Sequence, residues 1–234
     1  MINFTYFMTC LKAAVHYIPQ NFILTFWTLL VSIIIGALIA MCRSYNVPVA
    51  KQIFTALMAL GKALPTNLVL LVCMMLYTNN FARVTKALHI NVSIKNVSLN
   101  YVAVFALVIC VVPSISEVIR GGLLSVNKGQ YEAGYSIGLT KAQTFFNIIL
   151  PQVIRVIIPP LTNSILSLMK TTALVSVIGV FDILNGAKTA ASEAYCYLEA
   201  YIAAALVFWA IGFVLEQISR KVEKRFNRSV RILA

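Results

Sequence analysis

Five stretches of the chain are apolar over the roughly 20 residues that a helix needs to cross a bilayer, and charges gather at their ends. The first covers residues 21–42, carries no charge and is closed by Arg43. The second, 63–82, lies between Lys62 and Arg83, and the third, 96–116, between Lys95 and Glu117. The fourth opens at Arg155, contains Pro159, Pro160 and Lys170, and ends in the apolar run 173–181. Proline inside a span interrupts the backbone ladder, which is tolerated where protein or a water-filled cavity satisfies the freed groups. The fifth spans 194–217, with Glu199 near its outer end. Residues 2–17 mix apolar and polar positions and predict an interfacial helix before the first span. Residues 49–60, after Pro48, predict a second short helix beside the membrane. The expected fold is an all-α membrane protein of about five transmembrane helices. It divides into an N-terminal interfacial segment (1–20), a membrane domain (21–218) and a basic tail (219–234).

The segment 128–151 between the third and fourth spans is too long for a simple connector, and it is patterned. Tyr131, Tyr135 and Ile137 alternate with polar residues at helical spacing. Gly138 then breaks the helix, because a residue without a side chain permits a sharp turn. Thr140 is placed to cap the next helix, with Gln143 three positions on as its capping-box partner. That helix is expected to reach Leu150 and stop at Pro151. The prediction is two short helices joined at a glycine and projecting from the bilayer.

Composition supports a membrane setting. The chain is 60% hydrophobic and 11% charged, with a mean hydropathy of +0.88, whereas a soluble domain carries about 25% charged residues. The net charge of +12 does not point to nucleic acid, because six of the nineteen Lys and Arg residues (Arg220, Lys221, Lys224, Arg225, Arg228, Arg231) fall in the last fifteen positions. A basic tail after an apolar helix reads as a cytoplasmic anchor facing anionic membrane lipid. That places the C-terminus inside and, with five spans, the N-terminus outside. Thirteen Lys and Arg then lie on the inner side and five on the outer side. The outer cluster around Arg83, Lys86 and Lys95 runs against the positive-inside bias locally but does not reverse it. The five cysteines have no metal-ligand spacing and read as small buried hydrophobes. The N-terminus lacks the basic leader of a cleaved signal.

The segment Glu132-Ala133-Gly134, three residues, Gly138, nine residues, then Ile148-Ile149-Leu150-Pro151 resembles the EAA loop of ABC-importer permeases. One position departs, Gly134 standing for the usual alanine. Upstream, Glu117-Val118-Ile119-Arg120-Gly121-Gly122 and Val126-Asn127-Lys128-Gly129-Gln130 resemble the polar amino acid subfamily. Downstream, Leu150-Pro151-Gln152, Pro159-Pro160-Leu161-Thr162-Asn163 and Leu174-Val175-Ser176-Val177-Ile178-Gly179 do the same. The resemblance implies that Glu132, Ala133, Gly134, Gly138, Leu139, Ile148, Leu150 and Pro151 belong to a coupling helix that docks on ABC ATPase subunits. It also implies a second permease subunit (a homodimer or a related chain), an extracellular solute-binding protein, and a place in the bacterial cytoplasmic membrane. The family's F-R-G-T-P segment before the second span is absent, and Gly61-Lys62-Ala63-Leu64-Pro65-Thr66-Asn67 stands nearest to it.

No P-loop pattern occurs in the chain. No cofactor is expected in it, and ATP and Mg are assigned to the partner ATPase. Intramembrane polar residues are costly and default to functional hypotheses. Asn163, Ser167 and Lys170, at i, i+4 and i+7, share one helix face. With Thr171 and Thr172 they are candidates to line a substrate path, with Lys170 attracting a carboxylate. The alternative for Lys170 is that it snorkels to the interface or pairs with Glu117. The subfamily often has an acidic or amide residue where Thr171 stands. Glu117 and Arg120 are spaced for a local pair, and Asp182 and Glu199 are expected to be solvated near the outer surface. No buried carboxylate is available for a cationic substrate, which favours a neutral, acidic or zwitterionic amino acid such as cystine or glutamine. The rival readings are a secondary transporter or channel without an ATPase, a membrane enzyme, and a scaffold. Five spans without an inverted repeat disfavour the first. The absence of H-E-x-x-H and G-x-S-x-G, with only His16 and His89 as histidines, disfavours the second.

Overall fold

Asn3 caps the first helix, its side chain accepting the backbone N–H of Thr5 at 3.1 Å. The computed structural model describes residues 3–45, 48–87, 89 and 92–231, apart from the side chains of Lys95 and of 226–231. Helix α1 (Phe4–His16) passes through Tyr17 into α2 (Ile18–Ser44). The two make one nearly continuous apolar segment, Phe4–Ser44, where the sequence predicts a span beginning at 21. Helix α3 (Ala50–Ala63) forms where the second short helix is expected, and Pro65 separates it from α4 (Thr66–Ala87). After a short 3-10 turn (Ile94–Asn96), α5 (Leu99–Ser125) is longer than its predicted span and carries Pro113 inside it.

The predicted helical pair is present. Helix α6 (Lys128–Ser136) is followed by Ile137 and Gly138, and α7 (Lys141–Thr144) starts from Thr140. The expected stop at Pro151 does not occur. A π-helical turn (Phe145–Ile149) leads directly into α8 (Leu150–Thr171). The Leu150 N–H reaches back to the carbonyl of Phe145, five residues before it. A wider turn of this kind relieves the clash between a proline ring and the preceding turn, so the helix goes through Pro151. It also goes through Pro159 and Pro160, which the sequence reads as an interruption. The fourth predicted span therefore starts at Leu150, and its end is a 3-10 segment (Thr172–Ile178) rather than α-helix.

Helix α9 (Ile183–Ala191) has no counterpart in the sequence reading. Helix α10 (Tyr197–Arg231) runs past the predicted end of the fifth span, so the basic residues from Arg220 onward are helical up to Arg231. Residues 232–234 and the side chains of Arg228 and Arg231 lie outside the described residues. Among the described residues five helical segments are long and apolar enough to cross a membrane, and there is no strand.

The chain forms two compact units whose boundaries fall inside helices. The first comprises Met1–Leu30, Ala63–Val111 and Ser167–Val214. Its core joins Leu24 of α2, Val69 and Leu70 of α4, Val102, Ala103, Ala106 and Leu107 of α5, and Val175 and Ile178 of the 3-10 segment. Helix α1 packs along α9 in the same unit. The second comprises Val31–Lys62, Val112–Leu166 and Leu215–Ala234. Its core contains Ala40 of α2, Leu123 of α5, Val126, Ile149 and Val153 of α8.

Candidate functional site: the helical pair and the polar face of α8

The helical pair is built by capping at both starts. Asn127 accepts the N–H of Gly129 at 2.9 Å and opens α6. Thr140 and Gln143 form the predicted capping box: Thr140 N donates to Gln143 Oε1 (2.9 Å), and Gln143 N donates to Thr140 Oγ1 (3.3 Å). Between them Gly138 takes φ +83°, a left-handed conformation that a side chain disfavours. The turn is closed by Ile137 N to Ala133 O and Leu139 N to Gly134 O.

Gly134 is buried in the pair. A β-carbon there would lie 2.6 Å from Thr144 Cγ2 and 2.8 Å from Thr144 Oγ1. The departure from the family's alanine is therefore matched across the pair, with Thr144 filling the space an alanine methyl would take. Thr144 is itself buried, and its hydroxyl has no hydrogen-bond partner among the described residues.

The pair is anchored by apolar contacts. Tyr131, Phe145 and Ile148 pack on the core of the second unit alongside Met41, Ile119 and Ile157. Burial and a hydrogen bond with Tyr45 push the Tyr131 phenol up to about 12, so it stays neutral. The far side is open. Ile137 is 75% exposed, Tyr135 and Phe146 are exposed, and so are Glu132, Ala133, Gly138 and Pro151. Leu139 and Leu150 are half-buried.

On α8, Asn163, Ser167 and Lys170 are each exposed. Thr171 is half-buried and donates its hydroxyl to Ser167 O at 2.9 Å. Thr172 does not share their exposure. It is fully buried, donates to Met169 O (2.6 Å) and accepts from Asn21 Nδ2 (2.9 Å). Asn21 also accepts the backbone N–H of Ile183 at 2.9 Å, so one buried amide ties α2 to both the 3-10 segment and α9. Sequence reasoning passed over Asn21. Its signal was an amide at the start of an apolar run.

The charged residues also depart from expectation. Asp182 is buried, not solvated; it caps α9 by accepting the Asn185 N–H at 2.7 Å. Its Oδ2 has no partner among the described residues. Burial pushes its carboxyl up to about 6, against the pull of the Asn185 and Leu184 N–H groups and Lys188. Glu199 is buried as well and accepts the backbone N–H of Asn3 at 2.9 Å. Glu117 forms the predicted pair with Arg120 (2.8 Å), and its other oxygen takes Arg43 at 2.5 Å. Both of its oxygens are thus engaged within the second unit. The clue to Arg43 was its place as the charge that closes the first apolar run.

Comparison with known proteins accounts for these features together. The family model described as binding-protein-dependent transport system inner membrane component matches residues 32–228. The L-cystine transport system permease protein TcyB of Bacillus subtilis (strain 168) is 46% identical over 116 residues. That match spans 49% of this chain and 50% of TcyB, about half of each. The L-cystine transport system permease protein TcyL of the same organism is 30% identical over 213 residues, spanning 91% of this chain and 87% of TcyL. The crystal structure of an amino acid ABC transporter with histidines superposes with a TM-score of 0.79 at 25% identity, covering 96% of this chain and 99% of that one. By its helical architecture and its matched residues, this multi-pass chain belongs to the family of inner-membrane permease components of binding-protein-dependent transport systems.

Proposed function

We propose that the chain is the permease subunit of an ATP-driven importer of polar amino acids, and that the pair α6–α7 is its contact with a separate ATPase. The observation that carries this reading is the exposed apolar tip. Ile137 stands on a turn that Gly138 and the Thr140 capping box hold rigid, while Tyr131, Phe145 and Ile148 anchor the pair in the core behind it. Exposed apolar groups on a stiff projection fit a partner's cleft.

In this reading Glu132, Ala133, Gly134, Gly138, Leu139, Ile148, Leu150 and Pro151 form the coupling loop. Hydrolysis of ATP with Mg takes place on two ATPase subunits. Closure of those subunits presses the loop and rocks the spans between inward-open and outward-open. A second permease subunit, identical or related, completes the path, and a solute-binding protein delivers the substrate outside. Asn163, Ser167 and Lys170 face that path, with Thr171 beside them. Lys170 attracts the carboxylate common to amino acids. The relatives named for L-cystine support a zwitterionic substrate of that class. The N-terminus is outside and the basic end of α10 is in the cytoplasm.

The test is copurification and uptake. Ile137→Asp is expected to abolish association with the ATPase while the permease stays folded. The unaltered complex in vesicles is expected to take up an amino acid only with ATP and binding protein. Uptake without nucleotide sinks the reading. Mass spectrometry of the ligand retained by the binding protein names the solute.

A further inference from the structure

One carboxylate in the second unit joins two helices directly and a third through an arginine. Glu117 of α5 holds Arg43 of α2 through one oxygen (2.5 Å) and Arg120 of its own helix through the other (2.8 and 3.0 Å). Arg43 reaches on through Nε to Thr55 Oγ1 of α3 at 3.2 Å. Only 9% of the Arg43 side chain is exposed. A buried guanidinium without a counter-charge is strongly unfavourable. Any movement that draws the C-terminal end of α2 away from α5 therefore strands that charge.

The node is directly connected to the helical pair. Glu117 lies eight residues before the end of α5 at Ser125, and α6 begins at Lys128. Ile119 and Leu123 of α5, Ala40 and Met41 of α2, and Tyr131, Phe145 and Ile149 of the pair share one apolar core. Gly36 of α2 brings the two helices close, since a β-carbon there would sit 3.0 Å from Ile115 Cγ2 of α5. Apolar packing makes this contact close, and the charge pair adds a directional constraint to it. The ion pair has one geometry.

We propose that Glu117 is a positioning residue for coupling: through Arg43, Arg120 and Thr55 it locks α2, α3 and α5 into a single block that moves with the helical pair. The inference rests on the importer reading for its transport consequence. The locking itself is a property of this chain alone. Without the lock, motion of the pair dissipates between α2 and α5, and hydrolysis no longer drives the spans.

The experiment compares Glu117→Gln with the unaltered complex, reading uptake, ATP hydrolysis and backbone hydrogen exchange in the same preparation. The expected result is uptake reduced at least ~10-fold, hydrolysis within about 2-fold, and faster exchange in α3, which Arg43 reaches through Thr55. Glu117→Asp keeps the charge but shortens its reach by one methylene, and its uptake is expected between the two. The reciprocal exchange Arg43→Glu with Glu117→Arg restores the cross-helix pair and is expected to recover uptake to within about 3-fold of the unaltered complex. A Gln variant with unaltered uptake per ATP overturns the proposal, and so does unaltered exchange in α3. Failure of the importer reading shows separately, as nucleotide-independent uptake by the unaltered complex, and leaves the exchange comparison to decide the lock.

Discussion

Gly134 and Thr144 fit one another across the helical pair: a β-carbon on the glycine would stand 2.6 Å from the threonine methyl and 2.8 Å from its hydroxyl. Both branches of the threonine face the glycine, so rotation about χ1 moves one clash into the place of the other. Gly134→Ala is therefore expected to overpack the pair and to cost about 1–3 kcal/mol. Thr144→Ala in the same chain is expected to restore most of that loss, because it removes both branches and a buried hydroxyl without a partner. Thermal unfolding of the single and double variants measures the coupling. Additive effects would remove the complementarity.

Gly138 is the position where the pair turns, and its φ of +83° suits no β-branched residue. Gly138→Val is expected to strain the turn by about 1–3 kcal/mol and to displace Ile137 from its present position. ATP hydrolysis and uptake should part company in this variant, or the complex should fail to assemble. Full transport by it would remove the turn from the mechanism.

Asp182 makes stability depend on pH. Its carboxyl titrates near 6 in the folded chain against 3.8 when unperturbed. The neutral form is thus favoured by folding. Its contribution is complete below about pH 4 and is lost as pH rises through 6, reaching on the order of 3 kcal/mol. Asparagine caps a helix as well as aspartate does. Asp182→Asn is expected to match the parent near pH 4 and to exceed it in Tm near pH 8. Parallel Tm profiles for the two proteins would show that burial does not control this group.

Lys170 is exposed on α8. Lys170→Met keeps the unbranched stem of the side chain and removes its charged end. The expected outcome is a rise in KM for uptake of about 10-fold or more, the size of one charge-assisted contact. Unchanged uptake and affinity end the path-lining role and leave the residue at the interface.

The spans and the helical pair were legible in the chain because their causes are local. A run of some 20 apolar residues bounded by charges has one stable solution in a bilayer. A threonine three positions before a glutamine satisfies helix-start N–H groups wherever it stands, and the Thr140 box formed as read. Gly138 likewise carried its own reason for turning.

Other features depended on a backbone geometry that no residue pattern marks, or on residues far apart in sequence. Pro151 reads as a stop, yet a π-helical turn just before it lets α8 continue. Asp182 and Glu199 read as solvated because each lies near the outer surface, and folding buries both, Asp182 as the cap of α9 and Glu199 against Asn3. Asn21 meets Thr172 and Ile183 across more than 150 positions.

Hydrophobic period, capping and charge at span ends determined that this protein is a helical membrane chain with a bent pair between its third and fourth spans. Those features need only neighbours within one or two turns. Which carboxylates are buried, which arginine Glu117 holds, and why position 134 is glycine were decided by tertiary packing. Burial and partner choice depend on what the distant chain brings within about 3 Å, and no local pattern records that.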